Sequence, residues 1–210
     1  MGGTNNSQNT RHYAIYGGSF DPVHSGHVAL AKSAVKECAV DRLIFMPAYM
    51  SPFKQDRQTA PGADRAAMIE SILHYDPAFC MSRYELNKEG PSYTYDTIMH
   101  WKPLLGGKLS FVMGMDSAIQ VDTWFRGRDI LKEVSLIVSI RPGSDVDTFN
   151  VKAREYKEKY GTEVHVLSMD PVDISSTDVR TRIEQGMPIS GIVPPEVEKY
   201  IYAHDLYTVK

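Results

Sequence analysis

One string near the start of the chain restricts the fold more than any other part of the sequence. It reads Gly-Gly-Ser-Phe-Asp-Pro-Val-His-Ser-Gly-His from Gly17 to His27 and directly follows the apolar run at 13–16. Two glycines at the end of a strand allow a sharp turn and a close approach of the backbone to a ligand. Asp21-Pro22 interrupts the chain, and Ser25-Gly26 can then cap a helix whose N–H groups and positive dipole end attract phosphate.

The two histidines of this string lie three residues apart, at His24 and His27, so both imidazoles share one side of the predicted helix. Such a pair alone is as typical of half a metal site, or of two solvated surface histidines, as of a phosphate site. The complete string, with Ser19 as a further hydroxyl donor, favours a ligand with several negative oxygens at a strand-to-helix junction.

A second polar string stands far downstream, where Ser175, Ser176 and Thr177 precede Arg180. The hydroxyls lie at the start of a predicted helix, and Arg180 shares the face of Thr177. The alternative is an ordinary capped helix with a surface arginine. A cap explains one hydroxyl, whereas three hydroxyls and an arginine favour a phosphate ligand.

Composition describes an ordinary globular chain and limits its partners. The 210 residues are 42% hydrophobic and 23% charged, which suits one domain over 12–210 behind a loose tail at 1–11. The net charge of −3 gives no general basic field for nucleic acid. Two cysteines follow no metal-like spacing, and neither a membrane-length apolar stretch nor a signal-peptide core is found, which predicts a cytoplasmic protein.

Short apolar runs alternate with segments of helical spacing, which predicts an α/β fold with a mostly parallel, Rossmann-like sheet and helices on both faces. Strands are predicted at 13–16, 42–46, 109–113, 135–140 and 163–167. Helices are predicted at 26–37, 63–74, 94–102, 149–160, 177–185 and 195–204. Polar strings after the runs, including Gly114-Met115-Asp116 and Arg141-Pro142-Gly143, are expected at the carboxyl edge of the sheet, where such folds bind ligands.

These motifs resemble those of the nucleotidyltransferase superfamily that carries a (H/T)-x-G-H motif. The string ending at His27 is similar to its first motif, and the string from Ile174 to Arg180 is similar to its second. After residue 12, nearly the whole chain resembles one branch, the bacterial nicotinate-nucleotide adenylyltransferases. Two further elements carry that resemblance, the Pro-Ser-Tyr-Thr string from Pro91 to Thr94 and Thr123-Trp124-Phe125.

The resemblance implies an ATP site and assigns its residues. It places His24, His27, Arg180 and Lys54 in catalysis, and it implies that neither histidine is a nucleophile. Lys54 lies in a proline-bounded loop at 47–61, where the family commonly has Pro-Pro-His-Lys and this chain has Ser-Pro-Phe-Lys with Phe53. A loop lysine is otherwise usually solvated. Further ATP contacts are expected at Gly17, Gly18, Ser19, Phe20, Asp21, Gly26, Ser175, Ser176 and Thr177.

The acceptor site is implied by the branch-specific strings. Its expected residues are Ser92, Tyr93, Thr94, Gly114, Asp116, Trp124 and Arg141. The indole of Trp124 can stack on a pyridine ring, and a pyridinium gains further attraction from the aromatic face. A core tryptophan is the alternative for Trp124, and the N-cap of the next helix is the alternative for Asp116.

The implied reaction is transfer of AMP from ATP to nicotinate mononucleotide, which yields deamido-NAD and pyrophosphate in NAD biosynthesis. The resemblance implies Mg²⁺ with ATP and no covalent intermediate, and no protein ligands for a metal are assigned. The expected partners are small molecules, without nucleic acid or membrane, and a homo-oligomer is left open.

Two rival functions stay open at this point. One is a sister transferase for phosphopantetheine or glycerol phosphate, which gives Trp124 no ring to stack on. The other is a non-catalytic nucleotide-binding module, although His24, His27 and Arg180 are all present. A dinucleotide-dependent oxidoreductase is excluded, because the first turn lacks Gly-x-Gly-x-x-Gly and Met46-Pro47 follows the second strand where an acidic residue is needed.

Overall fold

A sheet of six parallel strands organises the fold in a computed structural model that describes residues 10–52, 59–140, 143–170 and 172–208. The strand order is β3-β2-β1-β4-β5-β6. The strands span β1 His12–Gly18, β2 Arg42–Pro47, β3 Phe79–Met81, β4 Lys108–Gly114, β5 Ser135–Ser139 and β6 Val164–Val166. Because β2 and β3 extend to one side of β1 and the later strands to the other, the order reverses between β1 and β4. Ligands of such sheets bind at that reversal, beyond the carboxyl ends of the strands.

Helices cover both faces of the sheet, as the alternation of apolar runs and helical segments predicts. One core joins the sheet to α1, α2, α8 and α9, and the other joins it to α4, α5, α6 and α7. The helices are α1 Ser25–Cys38, α2 Gly62–Glu70, α3 Tyr84–Lys88, α4 Thr94–Leu105, α5 Met115–Ala118, α6 Gly127–Glu133, α7 Val146–Tyr160, α8 Ser176–Glu184 and α9 Pro195–Ala203. No helix within the described ranges is long and apolar enough to cross a membrane.

The alternation of buried side chains along the strands explains this arrangement. In β1, Ala14 and Tyr16 belong to the first core, whereas Ile15 belongs to the second. Successive side chains of a strand point to opposite faces, so a strand that is apolar on both faces must be covered twice. The predicted α/β class with a parallel sheet is confirmed.

Several boundaries differ from the sequence-based expectation. The predicted helix at 63–74 ends at Glu70 and is followed by a 3₁₀ turn, Leu73–Tyr75. The sequence reasoning missed β3 and three short helices, α3, α5 and α6. A three-residue strand and four- to seven-residue helices are too short to display a clear hydrophobic period.

The predicted glycine turn is wrong in place. Gly17 and Gly18 are the last residues of β1, and the sharp change of direction follows at Phe20, where φ is 47°. A Cβ at Gly17 would lie 2.9 Å from the Phe111 ring, and one at Gly18 would lie 3.2 Å from the Phe20 ring. Both glycines therefore pack closely against aromatic rings inside the protein, and Gly17 leaves the least room for a Cβ.

Candidate functional site

The two histidines meet at the start of α1. His24 is the N-cap residue, with extended backbone at φ −138°, and its carbonyl accepts from the N–H of His27 at 2.9 Å. The imidazole centroids lie 3.7 Å apart. The backbone N–H of His24 in turn donates to Nδ1 of His27 at 3.2 Å. That bond needs a lone pair on Nδ1, so a neutral His27 carries its proton on Nε2 and presents a donor there.

Gly26 explains why a glycine stands between the histidines. A Cβ at this position would lie 3.1 Å from the His24 ring and 3.4 Å from Val172. The His24 ring, which is 2% exposed, therefore folds back over the glycine. Ile174 lines the same small cavity as both histidines, so the second motif lies beside the first.

The segment between β1 and α1 is held by side chains from other elements. Arg65 of α2 donates to the Ser19 carbonyl at 2.7 Å, and Ser176 of α8 donates to the Pro22 carbonyl at 2.9 Å. Phe20 is 1% exposed, and its ring packs edge-on against His27 with centroids 5.0 Å apart. Phe20 can therefore offer a ligand only its backbone.

The hydroxyl groups of the second motif have different hydrogen-bond partners. Ser175 caps α8 and forms a capping box with Asp178, whose N–H donates to Ser175 Oγ at 3.2 Å. Thr177 Oγ1 accepts from Arg180 at 3.0 Å. Arg180 is 7% exposed and also donates to the Asp21 carbonyl. The cap alternative thus accounts for Ser175, while Arg180 of α8 is buried against the loop between β1 and α1 and is not a surface arginine.

The acceptor strings come together on the opposite face of the sheet. Tyr93 is the N-cap residue of α4, and Thr94 is the first residue of that helix. The Tyr93 and Phe125 rings pack with centroids 4.6 Å apart, which joins the start of α4 to the segment that carries Trp124. Trp124 is half-buried and packs against the second core.

Ser92 connects this region to the end of β2. Its Oγ accepts from the Tyr49 N–H at 3.0 Å, and its own N–H donates to the Met50 carbonyl at 2.9 Å. Buried Glu85 accepts from Thr97 Oγ1, and burial raises the pKa of its carboxyl although bonds from Thr97 and Ser92 oppose the rise. The hydrogen bonds of Ser92 to Tyr49 and Met50 therefore hold the loop that follows β2.

The segment that carries Trp124 is held at both ends. Asp122 accepts from Lys152 Nζ at 2.7 Å and from Tyr156 Oη at 3.0 Å, both on α7. Burial raises the pKa of Asp122, but the bonds from Lys152 and Tyr156 outweigh it, so that this pKa lies below its usual value. After the tryptophan, a Cβ at Gly127 would lie 1.8 Å from the Val121 carbonyl, so only glycine fits.

The remaining predicted residues have simpler surroundings. Gly114 ends β4 and is the N-cap residue of α5, so exposed Asp116 is not the N-cap and that alternative is wrong. Lys54, Phe53 and Arg141 lie outside the described residues. Within the described ranges, no group of three or more His, Cys, Asp or Glu side chains could hold a metal ion.

Sequence reasoning missed two residues of this region. Arg65 is 2% exposed and binds the carbonyl of a residue 46 positions away, and Tyr207 binds Asp21 across 186 positions. No local spacing reports such partners, because each pair comes together only in the folded sheet.

Comparisons with known proteins show the family to which the chain belongs. The model of the cytidylyltransferase-like family matches residues 15–182. A probable nicotinate-nucleotide adenylyltransferase of Thermoanaerobacter sp. (strain X514) is 34% identical over 195 residues, 92% of each chain. A protein of the same name from Clostridium botulinum (strain Eklund 17B / Type B) is 36% identical over 198 residues, 94% of this chain and 98% of its own.

Solved structures share the fold at lower identity. Plasmodium falciparum nicotinic acid mononucleotide adenylyltransferase complexed with NaAD superposes with a TM-score of 0.76 at 19% identity, covering 94% of this chain and 97% of its own. A solved structure from Vibrio parahaemolyticus gives a TM-score of 0.64 at 17% identity, covering 94% of this chain and 95% of its own.

Proposed function

Because this chain belongs to the cytidylyltransferase-like family, and within it to the nicotinate-nucleotide adenylyltransferases, we propose that it transfers AMP from ATP to nicotinate mononucleotide. The products are deamido-NAD and pyrophosphate, and the reaction belongs to NAD biosynthesis. The observation that carries the proposal is that the two predicted binding regions follow neighbouring parallel strands at the same, carboxyl edge of the sheet. His24 and His27 stand at the start of α1, which follows β1. Ser92 joins the predicted acceptor region to the loop that follows β2. The last residues of these two strands, Gly18 and Pro47, pair with each other.

The reaction asks mainly for alignment and charge stabilisation. The 5′-phosphate of the acceptor is largely dianionic near neutral pH, because its second pKa is about 6, so it attacks without a general base. We propose direct in-line attack on the α-phosphorus, with no covalent intermediate. The α1 N-terminus and the Nε2 donor of His27 support this, since they offer N–H groups to the oxygens on which charge develops.

A divalent metal is expected to enter with the nucleotide. The family's adenylyltransferases use ATP and generally a divalent metal, and we propose Mg²⁺. Mg²⁺ usually keeps several waters and binds substrate phosphates with few protein ligands.

Selection of nicotinate would come from the start of α4 and from Trp124. Backbone N–H groups at a helix N-terminus suit a carboxylate, whereas the NH₂ of an amide meets another donor there. Trp124 lies at the edge of the second core and is partly exposed to solvent, which supports a role in stacking on the pyridine ring of the acceptor. We further expect the enzyme to act in the cytoplasm on these small molecules, with one domain over 12–210.

The proposal predicts a strong acceptor preference. Purified protein with ATP and Mg²⁺ is expected to release pyrophosphate rapidly with nicotinate mononucleotide and at least about 10²-fold more slowly with nicotinamide mononucleotide, because an amide leaves buried donors badly paired. The measurement is initial pyrophosphate release at matched acceptor concentrations. Phosphopantetheine is the control acceptor, since it has no ring for Trp124.

Each other outcome removes a defined part of the proposal. Equal use of both pyridine nucleotides would contradict nicotinate selection but retain adenylyl transfer. Release with phosphopantetheine alone would contradict the acceptor assignment, and no release with any acceptor would contradict the enzymatic function.

A further inference from the structure

A buried carboxylate connects distant parts of the chain next to the proposed ATP site. Asp21 is 3% exposed. Its Oδ1 accepts from the Tyr207 hydroxyl at 2.9 Å and from the Ala60 N–H at 3.0 Å, and its Oδ2 lies 3.7 Å from Arg180 Nη1. An ionised carboxylate beside the proposed ATP site would repel the triphosphate of a bound nucleotide, and these donors instead keep the Asp21 side chain turned towards the protein interior.

The same region fixes the direction of the loop backbone. Arg65 and Ser176 bind the carbonyls of Ser19 and Pro22. Because the carbonyl and the following N–H of a trans peptide point in opposite directions, anchoring the Ser19 carbonyl on α2 turns the next N–H away from that helix. Asp21 lies between these two anchored residues, so the bonds that its side chain accepts from Tyr207 and Ala60 help to determine where the loop presents its donors.

Unusual backbone conformations are found at Tyr207 and at Phe20, the residue before Asp21. Phe20 has a φ of 47° and Tyr207 a φ of 64°, both in the left-handed region that non-glycine residues rarely adopt. Such conformations persist only where the surrounding contacts impose them, and they cluster at functional sites. Burial and the neighbouring Asp21 raise the pKa of Tyr207, so its hydroxyl stays a proton donor throughout the neutral range.

We propose that Tyr207, near the carboxyl end of the chain, is a positioning residue for ATP. It acts through Asp21 on the loop between β1 and α1, and it touches neither the nucleotide nor the acceptor. The inference rests on the proposed function of that loop. Since the acceptor region lies on the opposite face of the sheet, loss of the Tyr207 hydroxyl should affect ATP and leave the pyridine nucleotide unaffected.

Replacement of Tyr207 by phenylalanine removes this one hydrogen bond and keeps the ring. We expect kcat/KM for ATP to fall about tenfold, because a bond to a charged group is lost, and KM for nicotinate mononucleotide to stay within about twofold. Binding of the α,β-methylene analogue of ATP should weaken by a similar factor. The matched control is Tyr200→Phe, because Tyr200 Oη donates to a carboxylate at the same 2.9 Å, but that carboxylate is Asp64 and not Asp21.

The controls separate failure of the inference from failure of the proposed function. Tyr207→Phe with ATP parameters like those of Tyr200→Phe, or with equal effects on both substrates, would overturn the positioning role. If wild type and Tyr200→Phe bind the analogue but transfer nothing to nicotinate mononucleotide, the acceptor assignment fails. In that case the analogue's affinity for Tyr207→Phe still decides the inference: about tenfold weaker binding supports it and unchanged binding overturns it.

Discussion

Turnover by the His27→Asn variant is expected to fall about 10²- to 10³-fold, since removing one donor that stabilises transition-state charge typically has this effect. Asparagine can place its side-chain oxygen where Nδ1 accepts the His24 N–H, 3.2 Å away in the native protein. The variant therefore keeps the hydrogen bond at the start of α1 and loses the Nε2 donor together with the ring contacts to Phe20 and His24. The measurement is kcat at saturating ATP and nicotinate mononucleotide, with the free energy of unfolding determined alongside.

His27→Gln is the matched variant, because its longer side chain carries an amide donor towards the position of Nε2. We expect it to retain about tenfold more turnover than His27→Asn, as a neutral donor replaces part of the lost stabilisation. Wild-type turnover in His27→Asn would remove the histidine from the triphosphate site. His24→Ala should lose turnover to a similar degree, but its ring is 2% exposed, so unfolding must be measured for it too.

The second large effect is expected at Trp124. Trp124→Leu should raise KM for nicotinate mononucleotide about 10- to 100-fold while KM for ATP stays within about twofold, since stacking on an aromatic ring contributes about 1–3 kcal/mol. Leucine keeps apolar contact with the second core and removes the aromatic face. Trp124→Phe keeps a smaller aromatic face, so its KM for nicotinate mononucleotide should lie between those of the wild type and Trp124→Leu.

Trp101→Leu is the control for a merely structural tryptophan. Trp101 is half-buried on α4 and packs against the same core, so its loss should lower the free energy of unfolding without changing KM for the acceptor. Steady-state kinetics and thermal unfolding of these variants provide the comparison. Equal rises in KM for both substrates in Trp124→Leu would identify Trp124 as a structural residue.

The sequence predicts those parts of the fold that depend on near neighbours along the chain and misses those that depend on distant residues. The long apolar runs of β1, β2, β4 and β5 follow from local pattern, and so does the capped start of α8, whereas the N-cap of α1 is His24 and not the predicted Ser25-Gly26. Phe79–Met81 was missed because three residues cannot show a strand period. Gly17 and Gly18 were read as a turn because their close neighbours, the rings of Phe111 and Phe20, are known only after folding.

In the candidate site, too, local sequence patterns predict the local features and not the contacts between distant residues. The spacing of His24, Gly26 and His27 is a local feature, and the structure gives it a local reason, since the His24 ring folds over the glycine. The resemblance predicts Asp21 at the ATP site, and the structure adds that its carboxylate accepts hydrogen bonds from Ala60 and Tyr207, 39 and 186 positions away. Which partners a buried carboxylate meets at such separations is determined by the order of strands and helices, and spacing alone cannot report it.

The fate of the ATP phosphorus atoms tests the central claim most directly. The protein is incubated with Mg²⁺, nicotinate mononucleotide and ATP labelled at either the α- or the γ-phosphorus, and the products are separated. Direct adenylyl transfer predicts that all α-label enters the pyridine dinucleotide and all γ-label enters pyrophosphate, in equal molar amounts. Label from the γ-phosphorus in the acceptor, or α-label released as free AMP without a dinucleotide, would contradict the account.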